Sequence, residues 1–376
     1  MISEPLAAVR AAVVRALTRI LDMVEVFPIS DVHVFSEYIF PSLGLLPGDS
    51  EEVVRVEFAA CLPTLAVASL RCLDGIHHTV AGSGEDDRGE AGARPLVNYD
   101  KELSTLRKEV AQIVIELATG RSTTPSIRRA LLQRMPRLCA FFGRSETHDY
   151  LLPLVITFLN DRDWQLRADF FKQLPRVCQF VGPEGFEAFM LPCVELSLTH
   201  ADEEVIAETI RFLVSLCTTN AQLDGFRTSG NAQQRMLHKR IVLRVCQSVG
   251  HFLRHPALHV RSSAVDFVVV AAQQLSLADG YARLVPLLRE HLCEEPYSIQ
   301  DREVLVQSLK PPKTAPVAVE DQMLVVEKRD REKAGEAGAA AAELPGRVAL
   351  FSVPRDVYRA RGGGADAGDG HLLGGL

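Results

Sequence analysis

His251, His255 and His259 recur every four residues, the spacing that would line imidazoles along one helical face and offer nitrogen ligands to a divalent metal. Pro256 falls between the last two and interrupts that helix, and no carboxylate or cysteine completes a ligand set, so no metal site is expected. The stretch GSGEDD at 82–87 is glycine-rich, yet it lacks the third glycine and the following strand of a phosphate-cradling loop. No Gly-x-x-x-x-Gly-Lys-Ser/Thr, His-Arg-Asp or Asp-Phe-Gly sequence occurs, so no catalytic residue and no cofactor are expected. The eight cysteines, Cys61, Cys72, Cys139, Cys178, Cys193, Cys217, Cys246 and Cys293, form no Cys-x-x-Cys pair and sit mostly among apolar residues. They read as reduced, buried thiols.

With catalysis set aside, composition narrows the class. The 376 residues carry a formal charge of -7 and are 47% hydrophobic, which predicts a globular chain and argues against a nucleic-acid binder. No uninterrupted apolar run reaches the roughly 18–20 residues of a membrane span, and the opening MISEPLAAVRAAVVRALTRIL, with arginines at helical spacing, reads as a helix and not as a secretory signal. Two basic groups, His238-Lys239-Arg240 with Arg244, and Arg128, Arg129, Arg134 and Arg137, read as solvated helix faces. A contact with a partner or an anionic lipid is the alternative for both.

The strongest signal is a repeat. Hydrophobic-arginine pairs stand at Val9-Arg10, Val54-Arg55, Ile127-Arg128, Leu166-Arg167 and Val260-Arg261, with a weaker unit at Ile206-Ala207. Where no insertion intervenes the period is near forty residues, the mark of a solenoid of paired helices. Asp49 and Asp161 precede their arginines by six residues and Pro41 and Pro153 by fourteen, while Pro63, Pro136 and Pro175 follow by eight. An aspartate at the turn is expected to cap the inner helix, and the arginine to pair with aspartates of adjacent turns, building a ladder along the stack. Proline removes a backbone hydrogen bond and curves each unit. Trp164, the lone tryptophan, is expected to fill a groove between repeats. Cys139 and Cys178, each eleven residues after a repeat arginine, fall in the same inward slot.

The fold class is therefore all-α, a HEAT-repeat-like solenoid of antiparallel helix pairs. The predicted helices are 1–26, 33–46 with 50–73, 99–119 with 124–142, 147–159 with 163–181, 184–199 with 203–218, 236–253 with 258–275, and 279–293 with 299–309. The solenoid domain spans 1–312, with flexible insertions at 77–98 and 218–234. Residues 313–376, rich in glycine and alanine, read as a mostly disordered tail.

The stretch LCAFFGRSETHDYLLPLVITFLNDRDWQLRADFF at 138–171 resembles one HEAT family, the large regulatory scaffold subunit of the class III phosphatidylinositol 3-kinase complex. The resemblance is carried by Phe141-Phe142-Gly143-Arg144, by the turn 157–161, by the helix start 163–167 and by the turn 252–256. FSEYIFPSL (35–43), NYDKEL (98–103) and LSLADGYARLVPLL (275–288) follow in the family's order. It covers about residues 1–312, and in the family a protein-kinase-like domain precedes this region and a WD-repeat propeller follows it. The resemblance implies a non-catalytic scaffold segment whose partners are the lipid-kinase catalytic subunit and a Beclin-like coiled-coil adaptor. It also implies a cytoplasmic location, peripheral on endosomal and autophagic membranes where phosphatidylinositol 3-phosphate is made. Repeat spacing alone leaves open a phosphatase or transport scaffold, or a fragment of a polypeptide classed as a serine/threonine kinase.

Overall fold

The computed structural model describes residues 5–25, 27–82, 98–199, 202–223 and 239–313. In chain order the helices are α1 (Ala7–Met23), α2 (Phe40–Leu43), α3 (Glu52–Gly82), α4 (Tyr99–Thr119), α5 (Pro125–Gln133), α6 (Met135–Glu146), α7 (Leu152–Ile156) and α8 (Trp164–Gly185). They continue with α9 (Leu191–Ser197), α10 (Glu203–Leu223), α11 (Lys239–Gly250), α12 (Leu258–Gln274), α13 (Leu277–Asp279), α14 (Val285–Leu288) and α15 (Arg302–Ser308). Among the described residues there is no strand, only a one-residue antiparallel bridge between Leu292 and Leu309. The protein is an all-α solenoid.

Each inner helix packs on the next: α1 on α3, α3 on α5 and α6, these on α8, then α8 on α10, α10 on α12 and α12 on α15. The core lies between this layer and the outer elements. Twelve phenylalanines are the largest fully buried side chains, and each stabilises by roughly 1.5–3 kcal/mol relative to exposure. Phe171 of α8 and Phe212 of α10, with ring centroids 5.8 Å apart, join neighbouring repeats.

The outer helices are shorter and more broken than their sequence pattern suggests, and proline explains it. Pro41, Pro153, Pro192 and Pro286 each stand in the first turn of a short helix, α2, α7, α9 and α14. Each of those helices follows directly on a π-helical turn, at 34–39, 147–151, 186–190 and 280–284. Proline has no N–H to return to the preceding turn, which widens. Among the inner helices, Pro63 and Pro175 lie inside continuous helices, α3 and α8. Pro136 marks a break instead: Arg134, at φ -121° and ψ 22°, separates α5 from α6, so the single helix expected over 124–142 is two.

Gly143 and Gly182 end the helical stretches that begin at α6 and α8, with φ of 77° and 80°. Both stand fifteen residues after a repeat arginine, and with ψ near 180° they occupy backbone space essentially reserved for glycine. They turn the chain from an inner helix into the next outer one without a loop.

Two expected loops begin later than the sequence suggests. Helix α3 runs on to Gly82 and α10 to Leu223. The remainder of both insertions, and the tail from residue 314, lie outside the described residues. The 28-residue stretch Glu52–Thr79 is by length and composition apolar enough to cross a membrane, contrary to the reading of the sequence. Two-thirds of its most apolar window is buried against neighbouring helices, so its apolar character belongs to the core.

Candidate functional site

The repeat arginines gather at one edge of the stack, where each inner helix begins. Each guanidinium there reaches back to its own turn, onward to the next, or both. Arg55 donates to the carbonyls of Asp49 and Ser50 at 2.5 and 3.1 Å, and Arg167 to that of Asp161 at 2.5 Å. Arg261 donates to the carbonyls of His255 and Pro256, both at 2.7 Å. The onward contacts are ionic. Arg10 grips Asp49 through Nε and Nη2 at 2.9 and 2.7 Å, Arg128 pairs with Asp161, and Arg167 pairs with Asp202. The partner therefore always belongs to the following repeat.

The aspartates do not cap helices as the spacing suggests. Asp49 accepts from the backbone N–H of Glu51 and Asp161 from that of Asp163, both at 2.9 Å, so each folds the turn two residues ahead. Capping of α8 falls to Asp163, which accepts from Gln165 N–H at 2.9 Å. The Arg10 hydrogen bonds hold the Asp49 carboxyl below the usual range, and Asp49 raises the Arg10 guanidinium in return.

The ladder has gaps, and they match. Ala207 replaces an arginine, and the turn it would have reached carries His255 where an aspartate would stand. His255 Nδ1 accepts from Ala257 N–H at 3.2 Å, reproducing the aspartate's turn contact without its charge. Burial pushes the His255 pKa down, which keeps that nitrogen free to accept. At Arg55 the following turn offers Ser122 six residues before Arg128, and the repeats are tied instead by Thr124 donating to Glu52 at 2.7 Å.

Trp164 does not fill a groove. It is the first residue of α8 and 42% exposed, because the first position of an inner helix projects past the packed layer. Nor do the three regularly spaced histidines share a helix face: His251 stacks on Phe252 at 3.8 Å in a 3₁₀ turn, His255 folds the next turn, and His259 lies 3.7 Å from Glu204. Burial pushes His251 to about 3 and His291 to about 4. No group of three or more metal-ligating side chains converges among the described residues. A shallow groove of about 640 Å³ between α10 and α12 is lined in part by Arg211, Leu258, His259 and Asp266. Its Arg211 is tied to Glu208 and its Asp266 to Arg302.

Cys139 and Cys178 are both fully buried, as their shared slot predicts, and burial pushes Cys139 to about 12 and Cys178 higher still. What the spacing did not reveal is the role of Asp202 and of the two glycines. Both had a signal: Asp202 stands five residues before Ala207, and Gly143 and Gly182 share one repeat position.

The profile of one family, described as "PIK3R4-like, middle domain", matches residues 1–318. The chain is 40% identical over 330 residues to a protein of Arabidopsis thaliana named serine/threonine-protein kinase VPS15, covering 84% of this chain and 21% of that protein. It is 35% identical over 289 residues to a Dictyostelium discoideum protein named probable serine/threonine-protein kinase vps15, covering 76% of this chain and 14% of that one. The chain thus spans about a fifth or less of the length of these relatives. The solved structure of Cex1p overlays on 88% of this chain and 56% of that one at 13% identity and a TM-score of 0.40, too loosely to bear on the fold.

Proposed function

From the premise that this chain belongs to the PIK3R4-like middle-domain family, we propose that it is the central scaffold segment of a regulatory subunit of the class III phosphatidylinositol 3-kinase complex. The observation that carries this reading is the family match across residues 1–318, which coincides with the stack of paired helices. A stack of this kind binds through broad surfaces fixed by its repeats. The ladder suits a scaffold, because its carboxylates are committed to guanidinium and backbone donors, which fixes the angle between successive units and leaves none of them poised as a base.

On this reading the segment is not catalytic, and the kinase activity in the relatives' names belongs elsewhere in such proteins. Its partners are the lipid-kinase catalytic subunit and a coiled-coil, Beclin-like adaptor. It works on the cytoplasmic side of endosomal and autophagic membranes, held there through the complex.

The test is a replacement in a full-length relative. The Arabidopsis protein with its middle region exchanged for this chain is expected to co-purify the lipid kinase and sustain phosphatidylinositol 3-phosphate output. The same protein with that region deleted is expected to lose both. Unchanged assembly and output on deletion would sink the scaffold reading.

A further inference from the structure

A second set of arginines lies on the exposed face of the inner layer, away from the ladder. Arg15 and Arg19 of α1 come from one side of α3, and Arg134 and Arg137, at the α5–α6 break and in α6, come from the other. Arg134 and Arg137 both donate to the Thr64 hydroxyl of α3, at 3.2 and 2.9 Å. Arg15 grips Glu57 of α3 through Nε and Nη2 at 2.8 and 2.7 Å, and Arg19 stands near enough to help lower the Glu57 carboxyl. Between them α3 carries small residues, Ala60, Cys61 and Thr64, a low strip over which the arginines of both sides reach. Arg176 of α8 continues the row, at the same distance from its repeat arginine as Arg137 from Arg128.

Four guanidiniums, Arg15, Arg19, Arg134 and Arg137, thus flank one stretch of α3 that carries a single paired carboxylate, Glu57, in a chain whose overall charge is -7. Arg19, Arg134, Arg137 and Arg176 have no ion pair among the described residues, and all four are exposed. Among the described residues Glu57 is the carboxylate that answers these charges, and its two oxygens are taken by Arg15. Adjacent helices lie about 8–10 Å apart, so the row from α1 to α8 runs roughly 25–30 Å, the length of a short polypeptide segment.

We propose that this arginine-lined strip is a docking surface for an acidic segment of a protein partner, whose carboxylates take the unpaired arginines as Glu57 takes Arg15. The side-on fork between Glu57 and Arg15 shows one guanidinium of this face already binding a carboxylate through two parallel hydrogen bonds. Arg134 and Arg137 lie across α3 and not upright from it, which suits a narrow chain laid along the strip better than a flat bilayer, which would meet upright side chains first. The inference concerns a surface, and stands whether or not the chain serves a lipid-kinase complex.

The full chain is titrated into a fluorescein-labelled peptide of about sixteen glutamates at about 50 and 150 mM salt, and mixed separately with phosphatidylcholine vesicles carrying phosphatidylserine. Peptide binding is expected, weakening severalfold at the higher salt and at least about tenfold in R134E/R137E. R19E/R176E, whose residues make no hydrogen bond or ion pair among the described residues, is expected to weaken it likewise, and R283E, distant on the π-helical turn before α14, to leave it unchanged. Peptide binding indifferent to both double variants overturns the proposal. Vesicle binding without peptide binding also overturns it, in favour of a membrane contact.

Discussion

Arg167 and Arg176 lie nine residues apart in one helix, yet they belong to different surfaces. Arg167 is 8% exposed and bridges the turn at Asp161 to Asp202 of the next repeat, whereas Arg176 is exposed and has no ion pair among the described residues. Arg128 and Arg137 repeat the contrast one unit earlier, with Arg128 on Asp161 and Arg137 on a neutral hydroxyl. Residue type does not separate these arginines. The separation comes from position along the helix: in the first turn an arginine meets the carbonyls and aspartates of the adjoining turns and becomes a strut, whereas nine residues further on the side chain faces solvent. A strut contributes to stability, while an exposed cation left to solvent contributes little to it.

The largest expected effect breaks that comparison directly. Arg167→Ala removes a charge-assisted pair and leaves the Asp161 carbonyl without its guanidinium donor, which should cost about 1–3 kcal/mol in denaturant unfolding. The Asp202 carboxylate, whose side chain is 40% exposed, is left to water, and Asp161 keeps Arg128. Arg176→Ala should shift stability by less than about 0.5 kcal/mol. Equal losses in the two variants would show that the ladder is no more structural than the face.

Gly182→Ala tests the repeat in a different place. A Cβ there meets nothing within 4 Å, so the penalty is conformational, from a φ of 80°. A cost of about 1–3 kcal/mol is expected, against a negligible change at Gly48, where a Cβ also meets nothing and φ is ordinary. If Gly182→Ala unfolds at the wild-type midpoint, the hinge tolerates another conformation and the tight turn between repeats is not fixed by glycine.

Acid should separate the regions more gently. The Asp49 carboxyl sits below its ordinary value when folded, mainly through Arg10. The contribution is present above the unfolded value, about 3.9, and is lost as pH falls through the lower folded one. Stability should therefore drop below about pH 4, with a shallower drop in Arg10→Ala and an unaltered one in Arg176→Ala. An acid limb identical in all three proteins would count against the Asp49 pair as a contributor.

These contrasts also mark what could be read from residues alone. Period, helix pairing and the arginine–aspartate ladder were legible because each depends on spacing along one chain: Arg10, Arg128 and Arg167 reach aspartates 39, 33 and 35 residues on. The direction of pairing was not legible, since spacing cannot tell a contact with the preceding turn from one with the following turn. Nor was the division of the Arg128, Arg129, Arg134, Arg137 cluster, which looked like one solvated face. Arg129 is taken by Asp163 and Asp169, and Arg128 by Asp161, while Arg134 and Arg137 cross onto a helix seventy residues earlier. Trp164 misled because an aromatic ring predicts burial only when its helix position faces a neighbour, and the first position of α8 does not.

The smallest effect concerns Cys61, which lies beneath the exposed arginines. A thiol beside cations usually ionises more easily, and both Arg15 and Arg134 act on Cys61 in that sense. Burial acts the other way and is the larger influence, so the thiol is pushed up and stays protonated near neutral pH. Iodoacetamide at neutral pH should mark the exposed Cys293 first and Cys61 far more slowly, as peptide mapping by mass spectrometry would show. Arg134→Glu should change the Cys61 rate by less than about twofold, because the residue withdrawn is the weaker of the two influences. A rate at Cys61 matching that at Cys293, or one that collapses in Arg134→Glu, would mean that the arginines activate the thiol. The face would then be a reactive site and not a docking surface.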